Sequence, residues 1–248
     1  WGLETEFERS VNKFAPKAKD YPKLEGGLIR LFKRQFRQFG LPSPGENDFM
    51  EWLAVMRHYG APTRILDWTY SFYPALFFAV EEAKAESAVW ALDTKWTDRQ
   101  CKEKYPTEWK LVETDGSDPN ARCFKTFKEV FLAKKSFVIN MNSYNQNQRL
   151  VIQQGTFLCP GNIEASFEEN LLALADGKSL DSNVVKYVIT GDAEERREIL
   201  KRLHRMNMNR ATLFPGLDGF AQSLKTRILF PQLLLPDPKW QSWLEKKR

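Results

Sequence analysis

An α+β fold is expected for this chain of 248 residues, and three observations predict it. Apolar residues at helical spacing dominate the first half. Strand-like runs gather in the second half, which reads as a mixed, mostly antiparallel, split sheet behind a helical N-terminal half. Hydrophobic residues at 42% and charged residues at 28% are ordinary globular usage, with eight Trp and eighteen Phe to fill a core. That composition excludes a disordered chain, a fibrous repeat and a coiled coil. No stretch convincingly works as a linker, so residues 1–248 are expected to form a single domain.

The elements follow in order. Trp1–Pro22 is amphipathic and mixed. Leu24–Phe39 reads as a basic helix, with Leu28, Leu31, Phe32, Gln35 and Phe36 on one face and Arg30, Lys33, Arg34 and Arg37 facing out. Gly40-Leu41-Pro42-Ser43-Pro44-Gly45 breaks it. Asn47 or Asp48 then caps a helix through Trp52, Leu53, Val55 and Met56, which Gly60-Ala61-Pro62-Thr63 ends. Thr69–Ala85 reads as a buried helix, capped by Thr69 or Ser71, and Ser87–Asp93 as a strand. Thr94–Lys135 has little periodicity, which predicts loops and short helices. Ser136–Met141 and Arg149–Gln153 are strand candidates joined by Asn142–Asn147 into an antiparallel hairpin. Val184–Thr190 is a further strand, rich in β-branched residues. Asp192 starts a helix to about Met206, with Glu194 and Glu195 in its first turn. Leu217–Leu229 is another helix, and Pro231 and Pro236 close the chain.

Charge and motif content narrow the function. Lys plus Arg is 37 and Asp plus Glu is 32, a net charge of +5 that permits an acidic partner without demanding one. Cys101, Cys123 and Cys159 are odd in number and widely spaced, so free thiols in a reduced, cytoplasmic protein are expected, with no metal. The longest apolar run, Tyr73–Val80, is too short to cross a bilayer, and no membrane association is expected. Neither a Gly-rich dinucleotide fingerprint nor a P-loop occurs. His58 and His204 are the sole histidines, which weakens most hydrolase and metalloenzyme chemistries.

The densest chemistry lies in residues 52–69. His58, Tyr59, Thr63 and Arg64 offer an imidazole, an aromatic face, a hydroxyl and a guanidinium, a set that suits a nucleotide. The same residues also suit a rigid corner between two helices. Arg64 and Asp67, three apart in an apolar setting, are then expected to pair, because an unpaired buried charge is costly.

The pattern W-L-x-x-M-x-H-Y-G-x-P-T-R-x-L-D-W-T, running from Trp52 to Thr69 and followed by Ala75-Leu76-Phe77-Phe78-Ala79, resembles the FRG domain family. Trp1-Gly2-Leu3 followed by Arg9, the stretch Arg149–Phe157 and the stretch Leu213–Gly219 match in the same order. Arg57 stands where Gln is commoner in the family. The Phe-Arg-Gly motif itself is absent, and on this resemblance it is expected just before Trp1. The resemblance implies a bacterial or phage-associated protein with a toxin or antiviral-defence role. Its layout is similar in outline to NAD-dependent ADP-ribosyltransferases, with NAD as substrate.

Such a transferase needs a dinucleotide clamp, a stacking ring and a group that meets the positive charge of the breaking glycosidic bond. On this reading His58 and Tyr59 are catalytic, with Asp218 as the charge-stabilising carboxylate. Thr63, Arg64, Arg149 and Gln154 bind the substrate. Glu6-Phe7-Glu8 is the clearest Glu-x-Glu, yet it comes too early in the chain for that fold. Gln153 and Gln154 sit at a strand end, where only one of them can face a pocket. The structural alternative for Asp218 is a helix N-terminal cap or a first-turn helix charge. A rival class is a nucleic-acid module using Arg30–Arg37, Lys125–Lys135 with Phe124, Phe127 and Phe131, and Arg196–Arg210. A third is a sensor for a partner such as an antitoxin or a phage protein, which needs an exposed apolar patch.

Overall fold

The computed structural model describes residues 2–113, 134–143, 147–175, 180 and 183–230. The helices are α1 Glu6–Phe14, α2 Tyr21–Phe36 with a 3-10 turn at Arg37–Phe39, α3 Phe49–His58, α4 Phe72–Glu81, α5 Thr94–Lys104, α6 Pro106–Glu113, α7 Gln148–Gln153, α8 Phe167–Leu174, α9 Ala193–Arg205, α10 Arg210–Leu213 and α11 Leu217–Arg227. The strands are β1 Leu66–Thr69, β2 Ser87–Leu92, β3 Val138–Met141, β4 Gly155–Pro160 and β5 Val184–Ile189. Three strands form one sheet in the order β1-β4-β3, and β2 and β5 form another. The class is α+β, with its helices mostly in the N-terminal half.

The chain divides into two compact units: unit 1 is Trp1–Trp68, Trp90–Gln146 and Gly155–Tyr187, and unit 2 is Thr69–Val89, Asn147–Gln154 and Val188–Arg248. In unit 1, Thr5 and Glu8 close a capping box on α1, so Phe7 and Val11 turn inward onto Ile163, beside Ala18, Tyr21 and Leu28. Strand β4 is central in its sheet, and Thr156 to Pro160 are buried without alternation. It pairs antiparallel with β3, Ile139 facing Cys159 and Met141 facing Phe157. Cys101 and Cys159 are free, buried thiols, and burial pushes Cys101 up to about 12. In unit 2, Phe77 and Val80 of α4 meet Leu203 of α9 and Leu213 of α10, with Ile152 of α7 packed alongside.

Three expectations change. Arg149–Gln153 is helix, not strand: the Asn147 side chain accepts from the Leu150 amide and starts a turn that outcompetes the β-branched run. The antiparallel partner of β3 is the segment just beyond it. The helix expected over Thr69–Ala85 starts later, because β1 runs through Thr69, whose hydroxyl takes the Ser71 amide. On α2 the buried stripe is Glu25, Ile29 and Phe36, while Leu31 is exposed and the Lys33 ammonium lies 4.7 Å from the centre of the Phe49 ring. Cys123, Phe124, Lys125, Phe127, Lys128, Phe131, Pro231 and Pro236 lie outside the described residues.

Candidate functional site

The end of α3 is built by local rules. The Asp48 carboxylate caps its start by accepting the Glu51 amide at 3.2 Å. Burial pushes that carboxyl up to about 6. Six residues of α3, among them Trp52, Leu53 and Met56, are buried and hold the helix rigid. Its end is a Schellman motif: Ala61 N–H donates to Met56 O and Gly60 N–H to Arg57 O, with Gly60 at φ 79°. The motif sets Arg57, His58 and Tyr59 at the helix terminus.

The Tyr59 side chain is 56% exposed, and its ring meets His58 edge-on at 4.9 Å and 85°. Phe36 supports the same ring at 6.4 Å. Arg57 Nε donates to Asp67 Oδ2 at 2.7 Å, and Arg57 Nη1 lies 3.9 Å from Glu6 Oε2. Glu6 also takes both Arg9 Nε and Arg9 Nη2. One guanidinium therefore holds two half-exposed carboxylates beside the His58–Tyr59 pair in sequence. Glu8, the other member of Glu-x-Glu, is used up in the α1 capping box and by the Phe167 amide at 2.8 Å.

Arg64 does not pair with Asp67. Its Nε and Nη2 donate to the two oxygens of Glu25 at 2.8 and 2.5 Å, and Nη1 donates to the Gly161 carbonyl at 3.1 Å. Arg57 occupies Asp67 instead. Burial disfavours the Arg64 charge, but the Glu25 carboxylate outweighs it and raises the pKa. At 1% exposure this guanidinium is enclosed, so the geometry gives the expected phosphate clamp no open edge here. Thr63 is fully buried too, and its hydroxyl has no hydrogen-bond partner among the described residues. The pair Glu25 and Arg64 was missed because the partners lie 39 residues apart, beyond any local spacing rule.

The other expected site residues are in unit 2. The Arg149 guanidinium lies 4.3 Å from the centre of the Phe214 ring. Gln154 is the exposed cap of α7, in left-handed conformation at φ 48°, and its carbonyl accepts the Tyr70 amide. Since α7 is a helix, strand alternation does not choose between the two glutamines. Gln153 is the buried one, its Nε2 donating to Leu213 O at 2.8 Å. Asp218 is exposed in the first turn of α11, the structural alternative for that residue. The structure thus groups His58 and Tyr59 at the end of α3, and encloses Thr63 and Arg64. Arg57, Glu6 and Asp67 complete the surface. Only the departure from the family pattern at Arg57 hinted at them.

Among the described residues no group of three His, Cys, Asp or Glu side chains is placed to hold a metal ion. No described helix is long and apolar enough to cross a membrane. No curated protein and no solved structure matches this chain. Residues 1–88, which hold α1 to α4 and the whole Arg57–Tyr59 terminus, match the family model of the FRG domain, and this supports the FRG family.

Proposed function

We propose that the protein binds an NAD-like nucleotide at the end of α3 and acts as a toxin or antiviral-defence effector, with ADP-ribosyl transfer as its activity. One observation carries this: a half-exposed Tyr59 ring braced by His58, next in sequence to an Arg57 that holds Asp67 and Glu6. The ring offers a stacking face for a nicotinamide or adenine. His58 orients or exchanges a proton. A carboxylate released from Arg57 meets the positive charge that develops as the glycosidic bond breaks. Asp67 suits that role better than Asp218, since it lies in the same unit as His58 and Tyr59.

The test is calorimetry with NAD, then labelled NAD with cell lysate, on wild type, Tyr59→Ala and Asp67→Asn. Expected are saturable binding, its loss in Tyr59→Ala, and label transfer that Asp67→Asn lowers by about 10²-fold or more with binding retained. No NAD binding by the folded wild type sinks this function. A second reading, a non-enzymatic module that binds nucleic acid or senses a partner, is favoured by one feature of unit 2. Tyr70, Phe72 and Tyr73 are 59%, 53% and 48% exposed, an aromatic run of the kind that anchors partners.

A further inference from the structure

We infer that the outward face of α2 in unit 1 binds the phosphate backbone of a nucleic acid. The inference gives the nucleic-acid alternative a surface and does not rest on the nucleotide reading at α3. Burial fixes how α2 is turned: Glu25, Ile29 and Phe36 point inward. Lys23, Arg30, Arg34 and Arg37 follow one another at steps of seven, four and three residues, so they share one face of the helix, turned away from that buried stripe. All four are exposed. Arg37 keeps helical backbone angles, φ −61° and ψ −27°, and so continues the row. From Lys23 to Arg37 the row runs for about 21 Å, the length of about six phosphates along one strand.

None of these four side chains has a hydrogen-bond or ion-pair partner among the described residues. The one carboxylate on α2, Glu25, is buried and takes Arg64, and the Asp20 carboxylate caps the helix by accepting the Lys23 amide. The helix dipole favours cations in the last turn alone, which leaves Lys23 and Arg30 with no role inside the fold. Gly26 and Gly27 lie between those two, where glycine weakens a helix. A Cβ on either would meet nothing within 4 Å, so packing inside the chain does not demand them, and the bare backbone lets a strand come close. A phosphate backbone fits this face better than other anions do. A membrane helix turns its apolar face to the lipid with cations along the edges, whereas the apolar face of α2 is packed inside unit 1. A protein partner needs anchors that become buried. Leu24 and Leu31, 38% and 51% exposed, lie on one flank only, and scattered exposed leucines are ordinary. Three guanidiniums in line match repeating phosphates, since each fork can take two oxygens.

The test follows the fluorescence anisotropy of a labelled oligothymidylate of about 20 nucleotides as the full chain is added. Wild type is run beside the triple variant Arg30→Gln, Arg34→Gln, Arg37→Gln, whose exposed sites should leave the melting temperature unchanged. Four phosphate contacts predict that wild-type affinity falls about 50-fold between ~50 and ~200 mM salt. The triple variant, left with Lys23, should fall only about threefold and bind at least ~10-fold more weakly at the lower salt. Should it melt lower, Arg34→Gln alone decides, with a salt slope expected to shrink by about 0.7. The proposal is overturned if wild type fails to bind at the lower salt, or if the folded variant keeps wild-type affinity and salt dependence. It is overturned too if phosphatidylserine vesicles or polyglutamate bind wild type more tightly than the oligothymidylate, which assigns the face to a membrane or to an acidic protein. NAD binding is measured apart from this, and its failure leaves the result standing.

Discussion

At the scale of single residues, two buried ionisable groups carry opposite expectations. Removing Arg64 leaves Glu25 charged and unpaired in a dry site, so Arg64→Ala is expected to cost about 3–5 kcal/mol in urea unfolding. Replacing the pair together, Arg64→Met with Glu25→Leu, should recover most of that loss. If Arg64→Ala unfolds at the wild-type urea midpoint, the buried pair is not what holds β4 to α2. Burial raises the Asp48 carboxyl to about 6 in the fold, above its ordinary value of 3.8. The native state then holds that proton more tightly than the unfolded chain. The contribution of Asp48 to stability is greatest below pH ~4 and falls as pH rises through ~6. Asp48→Asn keeps a good N-cap and removes the buried charge. Its urea midpoint should lack this decline between pH 4 and 6, and an undiminished decline would show another group to be responsible. The Asp48 cap was legible in the sequence because it is local. The partner of Arg64 was not, because a buried charge declares its need for a partner but not the partner's position.

At the scale of elements, caps and breakers were legible, as were the strand runs at 87–93, 136–141 and 184–190, while the run at 149–153 misled. Asp48, Asp192 and Gly60 stand where the sequence places them, as N-caps of α3 and α9 and as the turn after α3. Leu150-Val151-Ile152 reads as a strand by composition, yet Asn147 caps it into one short helix whose Ile152 joins an apolar cluster. The same helix is fixed further by Gln153, which donates to the Leu213 carbonyl 60 residues away, a partner no window of local sequence includes. The end of α7 gives a direct test of Gln154. Its left-handed backbone favours glycine, so Gln154→Gly should hold or raise the melting temperature, with a gain of up to about 1 kcal/mol. Loss of stability instead would mean that the side chain packs in a way its exposure denies.

For the whole molecule, the class was readable, but the grouping into two units was not. The chain enters unit 2 and returns to unit 1 twice before ending in unit 2, so neither unit is one continuous stretch. Hydrophobic patterning assigns residues to an interior without saying which interior. The FRG match ends at residue 88, but the neighbour of β1 in the sheet is β4, and Phe7 packs on Ile163. A fragment of residues 1–88 is therefore expected to show no cooperative urea transition, whereas the full chain should show one. A cooperative transition in that fragment would mean that the matched region folds alone. The same arrangement has a consequence for birth on the ribosome. When residue 88 leaves the exit tunnel, the carbonyls that receive Arg64 have yet to be made. At about 5–20 residues per second, several seconds of synthesis separate the two. Throughout that interval Arg64 has Glu25 but not the carbonyls that complete its site, and β1 has an open edge, a window in which a chaperone or a misfolded partner has first claim on the chain.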